Sequence, residues 1–381
     1  FARQQPDLNW RNPEVQQEMF KIYRFWCDRG VDGFRLDVFN ALFKDARFAS
    51  NQPKLGIRRF DRQKQQFDIS QPEMLPFLKE LRELLNSYPG RYMVGEAFLE
   101  TRGVASQYVS DQHLHAAFNF ELLLSGWDAK RIKKAVRNWE TELGQDKWPT
   151  QVLNNHDNPR SATRYRAAPD DQRLKQATAL LFTLRGTPFL YYGEEIGMRD
   201  IPVKRKDIQD PAGKYYWPFY IGRDGCRSPM QWDASPQAGF SITKPWLPVH
   251  NDYTQRNVVQ QTDEPDSLLN FYKALIRLRR DHPALRTGSM EILDTGKLPC
   301  MAYSRQDEQE TILVAINFSK EAIDLPSQAL STQFIPGDSW AYLLSNQRRN
   351  ETGQLNGQIS LLSEEVLIVQ KLSTQAEKPV Q

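Results

Sequence analysis

Cysteine is scarce in this chain: only Cys27, Cys226 and Cys300 occur among 381 residues, an odd number at wide spacing. That argues against a disulfide framework, offers no metal-ligand spacing, and points to a reducing, cytoplasmic compartment. Long apolar runs are missing as well. None approaches the roughly 20 residues needed to cross a bilayer, so no membrane partner is expected. Neither sign of charge dominates, with 50 Lys and Arg against 47 Asp and Glu. No basic run is interleaved with aromatics, which argues against nucleic acid or a membrane surface as partner. No repeat or low-complexity tract is evident, and the opening "FARQQPDLNW" has the character of neither a signal peptide nor a relaxed tail. It reads as the middle of a longer chain, so any export signal would lie upstream.

What is present is a recurring unit, a helix leading into a short apolar strand whose end carries polar groups. Asn12 can cap a helix with Pro13 in its first turn, Val15, Phe20, Tyr23 and Phe25 recur near helical spacing, and Gly30 ends it. A strand over 31–38 follows. A second unit runs from a helix near 72–87 into "RYMVGEAF" (91–98), and looser copies occur at 116–124, 150–160 and 186–198. Strands alternating with helices argue for a parallel sheet, and polar strand ends argue for a (β/α)8 TIM barrel with its site on that rim. About five of the eight βα units are visible, so three are expected upstream. A long stretch rich in Pro, Trp and Tyr (199–262) reads as functional loop rather than disorder. A helix over 265–285 closes the barrel. From 287 the texture changes to alternating short strands such as "TILVAINF" and "EEVLIVQKL". The expected division is therefore 1–286, the C-terminal part of the barrel, and 287–381, a small antiparallel β-sandwich.

The stretch "GVDGFRLDVF" places Arg35 and Asp37 on one face of an apolar strand and Leu36 and Val38 on the other. A charge in such a strand needs a partner or a purpose. Three strand ends each deliver one acid: Asp37, Glu96 in "VGEAF", and Asp157 in "NNHDNPR". In a barrel these converge at the C-terminal face. Acids converging on an aromatic-rich pocket fit glycoside hydrolysis, in which one carboxylate attacks and another acid protonates the leaving oxygen. Arg35 is expected to lower the pKa of Asp37 and so suit it to attack. The apolar frame of Met93, Val94, Ala97 and Phe98 is expected to raise that of Glu96. Taken singly, these residues have plainer readings. Arg35 and Asp37 form a structural ion pair, Glu96 caps a strand end, His156 is a satisfied histidine, and Asp32 is a turn residue. The aromatics of 215–232 could be core, and Glu194 and Glu195 loop caps outside the site.

On these residues the sequence resembles the α-amylase family of glycoside hydrolases, family thirteen, in its oligo-1,6-glucosidase and α-glucosidase branch. "GFRLDV" resembles the family's nucleophile strand, "GEAF" its acid/base strand, "NNHD" its third-acid segment, and "QPDLN" (5–9) the short segment that marks the branch. "GRDGCRSPMQW" resembles a loop that usually reads RTPMQW, with Ser228 in place of Thr. The resemblance implies a retaining mechanism with Asp37 as nucleophile, Glu96 as acid/base and Asp157 as third carboxylate. It also implies Arg35 and His156 in contact with substrate and nucleophile, and Arg160 lining the pocket. In this branch a Val after the nucleophile accompanies α-1,6 preference, so Val38 tilts the expected substrates towards isomalto-oligosaccharides. The partner implied is a short oligosaccharide or a disaccharide, and no cofactor or metal is implied in these residues. The family's first conserved segment is absent here, and with it any calcium loop situated there, so this stretch alone is not expected to be active.

Two other readings share the motifs. A glycosyl-transferring relative, such as a sucrose isomerase or trehalose synthase, uses the same three acids, and water and sugar then compete for one covalent intermediate. A non-catalytic transporter heavy chain would predict loss of the acids and a membrane segment, yet Asp37, Glu96 and Asp157 are present and no such segment is seen.

Overall fold

The structure, a computed structural model, describes residues 5–97, 103–167, 170–325, 339–348, 353–356 and 359–372. The chain divides into two compact units. One comprises 1–121, 138–150 and 212–221, and the other 122–137, 151–211 and 222–381.

In the first unit the helix Pro13–Asp28 begins where Asn12 accepts a hydrogen bond from the Glu14 amide at 3.0 Å, with Pro13 in its first turn. It ends before Gly30, whose φ of +88° suits glycine. Phe20 and Tyr23 pack on the core, whereas Phe25, expected on the same face, is exposed. Strand β1 (Gly33–Leu36) follows, then a small ribbon of β2 (Gln52–Pro53) and β3 (Gln63–Lys64). The helix Met74–Asn86 buries Phe77, Leu78, Leu81 and Leu85 and leads into β4 (Tyr92–Gly95). β1, β4 and β5 (Ala116–Ala117) form a parallel sheet in that order. Two glycines let its strands close up. A Cβ on Gly33 would run into the Tyr92 carbonyl, and one on Gly95 would lie 2.5 Å from Leu114 Cδ1 and 2.7 Å from Phe39 Cε1.

In the second unit β6 (Thr150–Val152) pairs with β7 (Thr187–Phe189). A strand occurs in each of the stretches where a βα unit is expected, although in 116–124 it covers only Ala116–Ala117 and a helix follows over Phe120–Leu124. The 199–262 stretch is mostly irregular but carries short helices at Pro211–Tyr216 and Val258–Asp263. The helix expected over 265–285 is two helices, Leu268–Asp281 and Pro283–Thr287. Pro283 cannot donate the next helical hydrogen bond, and His282 before it is extended.

Beyond it lie β8 (Ser289–Ile292), β9 (Cys300–Gln306), β10 (Thr311–Asn317), β11 (Ile323–Asp324), β12 (Ser339–Ser345), β13 (Gln354–Asn356), β14 (Ser360–Leu361) and β15 (Val366–Lys371). Six of them form an antiparallel sheet in the order β13-β12-β15-β10-β9-β8, and β11 pairs with β14. The central strands β10 and β15 carry unbroken apolar runs, 312–316 and 366–369, because both of their faces are covered. Ile312, Val314 and Ile316 join a core with the helices Gln172–Thr183 and Leu268–Asp281, while Leu313 and Ala315 join Trp340 and Leu361 on the other side. Arg305, fully buried in β9, donates to the carbonyls of Thr183, Leu285 and Gly288 and so satisfies helix-end acceptors.

Candidate active site

The register of β1 and β4 builds the first cluster. Leu36 lies opposite Gly95, and the Glu96 amide donates to the Leu36 carbonyl at 2.9 Å. Adjacent parallel strands run about 4.8 Å apart, so Asp37 and Glu96, each one residue past its strand end, are neighbours. Arg35 bridges them. Its Nη1 meets Asp37 Oδ1 at 2.6 Å and its Nη2 bonds Glu96 Oε2.

The burial differs from the dry strand face expected for Arg35 and Asp37. The Asp37 side chain is 69% exposed and that of Glu96 only 5%. The strand stops at Leu36, because Val38 adopts the left-handed conformation (φ 42°, ψ 38°) rather than continuing the alternation. For a β-branched residue that backbone is strained. The turn that imposes it buries Phe39, which packs edge-on against Tyr108 with ring centroids 4.9 Å apart and covers Gly95. Met93, Val94 and Ala97 are buried around Glu96 as expected, while Phe98 lies outside the described residues. The Arg35 guanidinium is also part of Glu96's surroundings, so its frame is not purely apolar.

The second cluster centres on Asp157. Asn155 Oδ1 accepts the amides of Asp157 and Asn158 at 3.0 and 2.9 Å, which folds the turn after β6. Asp157 Oδ1 receives Arg223 Nη1 at 3.0 Å and Arg227 Nη2 at 2.9 Å, and Oδ2 faces His156 Nε2 at 3.3 Å. Arg227 Nε donates to the His156 carbonyl at 2.7 Å. Arg223 also grips Asp210, with Nε on Oδ2 at 2.9 Å and Nη2 on Oδ1 at 3.2 Å. That carboxylate holds the Arg223 pKa well above its ordinary value. The sequence singles out the loop holding both arginines but assigns a role to neither of them, nor to Asp210. Two arginines in "GRDGCRSPMQW" are the available signal, and their target is not readable from it.

Arg160 is placed otherwise. It is 2% exposed, its Nη1 donates to the Tyr192 carbonyl at 2.7 Å, and its guanidinium lies 4.9 and 4.8 Å from the rings of Tyr191 and Tyr192. It therefore braces the strand-end tyrosines rather than reaching towards Asp157. Glu194 accepts the Tyr191 amide at 3.3 Å, as a loop cap would, but it is buried and also bonded to Asn154 and Tyr272. Burial pushes its pKa up to about 7. Through Asn154 it touches the segment that carries Asp157. The structure thus gathers Arg35, Asp37 and Glu96 in one cluster, and His156 and Asp157 in another. The three cysteines are free and buried. Among the described residues no group of three or more His, Cys, Asp or Glu is arranged to hold a metal ion, and no helix is long and apolar enough to cross a membrane.

The family profile described as "Alpha amylase, catalytic domain" matches residues 1–288. The chain belongs to the alpha-amylase family. Within it, the chain is 34% identical over 349 residues to a probable alpha-glucosidase of Rhizobium meliloti (strain 1021), a match covering 87% of this chain and 63% of that protein. It is 32% identical over 358 residues to the oligo-1,6-glucosidase of Parageobacillus thermoglucosidasius, covering 84% and 63%. The chain thus spans 63% of the length of these two alpha-amylase family relatives. Among solved structures, the alpha-glucosyl transfer enzyme XgtA superposes with a TM-score of 0.86 at 35% identity, covering 98% of this chain and 70% of that one. The trehalulose synthase MutB from Pseudomonas mesoacidophila MX-45 superposes at 0.84 and 28%, covering 98% and 71%. The family read from the motifs is the family found.

Proposed function

We propose that this chain supplies the reacting carboxylates of a retaining α-glucosidase that cleaves terminal α-1,6 and/or α-1,4 bonds of short oligosaccharides or disaccharides. The observation that carries this is the single guanidinium of Arg35 between Asp37 and Glu96. One guanidinium keeps two carboxyl groups close, and a retaining mechanism needs them about 5 Å apart so that one attacks the anomeric carbon directly. Asp37, the exposed one, is the nucleophile. Glu96, buried, protonates the leaving oxygen and then deprotonates the attacking water. Asp157 is the third carboxylate, with His156 beside it, and Arg35 orients the first two. Arg160, whose Nη1 is bonded to the Tyr192 carbonyl, lines the pocket in this reading without touching the reacting carboxylates. No cofactor is required, the setting is cytoplasmic, and the border between barrel and β-domain falls at 286/287.

Glucosidases among the relatives support hydrolysis. The likeness to an alpha-glucosyl transfer enzyme and to a trehalulose synthase favours a second reading, transfer of the glucosyl group to a sugar. The same covalent intermediate serves both, and the acceptor decides. In the natural full-length protein, a mechanism-based fluorosugar is expected to label Asp37, and Asp37→Asn to abolish turnover of aryl α-glucosides. Label on another residue, or an active Asp37→Asn, would refute the assignment. Product analysis with sucrose and maltose separates hydrolysis from transfer.

A further inference from the structure

Arg223 divides its donors between two acids. Nε and Nη2 form a two-pronged bond to Asp210, and Nη1 goes to Asp157. A fork of this kind fixes the plane of a guanidinium, which a single bond does not. Asp210 is itself immobilised. Its side chain is 1% exposed, and its Oδ2 also accepts the Arg223 amide at 2.9 Å. Its own amide and that of Gln209 donate to Asp224 Oδ2 at 2.9 and 2.6 Å. Two buried acids thus tie the 209–210 segment to the turn at 223–224, and the direction of Arg223 Nη1 follows from that tie. Arg227 is anchored differently, through the His156 carbonyl. With both arginines on Oδ1, Oδ2 is the Asp157 oxygen turned towards His156.

We propose that Asp210 is a positioning residue for Asp157, acting through Arg223 to set which Asp157 oxygen is occupied and where the carboxylate points; this rests on the glucosidase reading above. A purely structural role for Asp210 would be met by an ion pair with Arg223 alone, whereas the observed fork leaves one terminal nitrogen aimed at Asp157.

The test is steady-state kinetics on an aryl α-glucoside with the natural full-length protein. Asp210→Asn is expected to lower kcat by about 10- to 100-fold with KM nearly unchanged, the cost of misplacing a group needed in the transition state. Arg223→Lys, which breaks the fork from its other end, is expected to lower kcat similarly. The double variant should lose no more than the worse single one, because both act along one route. Asp210→Glu, which keeps the charge, should recover part of kcat. A wild-type kcat in folded Asp210→Asn, or losses that multiply in the double variant, would overturn the inference. Should Asp210→Asn not fold, Arg223→Lys decides alone, and a wild-type kcat there overturns it equally. An active Asp37→Asn would instead remove the glucosidase reading. A strict need for Asp37 with kcat indifferent to Asp210 would remove only the positioning role.

Discussion

Two acid–arginine clusters sit past strand ends in this chain, and they share their charges differently. After β1 and β4 one guanidinium serves two carboxylates, whereas after β6 two guanidiniums converge on Asp157 and one of them is shared with Asp210. The first leaves one of its carboxylates largely open to solvent. In the second, Asp157 and Asp210 balance Arg223 and Arg227, and Asp157 Oδ1 takes both arginines. A carboxylate meant to attack must be accessible to its target, whereas one meant to hold a fixed position gains from several partners. The contrast matches the roles proposed for Asp37 and Asp157.

Breaking the first cluster should have the largest effect. Arg35→Met leaves Asp37 and Glu96 facing each other without their shared counter-ion, and kcat/KM on an aryl α-glucoside is expected to fall by at least about 100-fold. A pH–rate profile should lose its ordinary shape at the same time, because the two acids then titrate against each other. In the second cluster the same kind of deletion should cost less. Arg227→Ala leaves Arg223 on Asp157, so a loss of about 10-fold in kcat is expected, near one charged hydrogen bond. Equal losses in the two variants would undo the comparison.

Glu194 sharpens it from a third side, since its hydrogen-bond partners are Asn154, Tyr191 and Tyr272 rather than a guanidinium. Its folded pKa of about 7 lies above the ordinary 4.5. The folded chain therefore holds this proton more tightly than the unfolded one. The associated stability is complete at pH below about 4.5 and is lost as pH rises through about 7. Glu194→Gln is expected to flatten the fall in Tm between pH 5 and 8, measured by thermal denaturation across buffers. The smallest effect concerns Val38. Glycine there relieves a left-handed β-branched residue, a gain of about 1–2 kcal/mol, but adds unfolded-chain entropy worth about 0.5–1 kcal/mol. A net rise in denaturation free energy of at most about 1.5 kcal/mol is expected, with any change in α-1,6 against α-1,4 preference read on paired substrates.

Much of the fold and of the candidate site is legible in the amino-acid sequence. Asn12–Pro13 and Gly30 announce a helix and its ends, the unbroken apolar runs after 287 fit a sheet covered on both faces, and three acids after apolar runs announce the site. The illegible parts share one cause. "FRLDVF" is equally apolar whether the strand runs on or turns at Val38, and only the packing of Phe39 against Gly95 and Tyr108 chooses the turn. Pro283 signals a break by its chemistry, yet the surrounding helical period hides it.

By itself the sequence determined which residues could carry chemistry and which local conformations were open, because caps, alternation and proline act over a few positions. Tertiary structure alone decided the pairings: Arg35 with Glu96 as well as Asp37, Arg223 and Arg227 on Asp157, and Arg160 on Tyr192 rather than in the cluster. An arginine can reach any acceptor that folding brings within about 3 Å. Which acceptor that is depends on strand register and loop closure between residues far apart along the chain, and no local pattern encodes it.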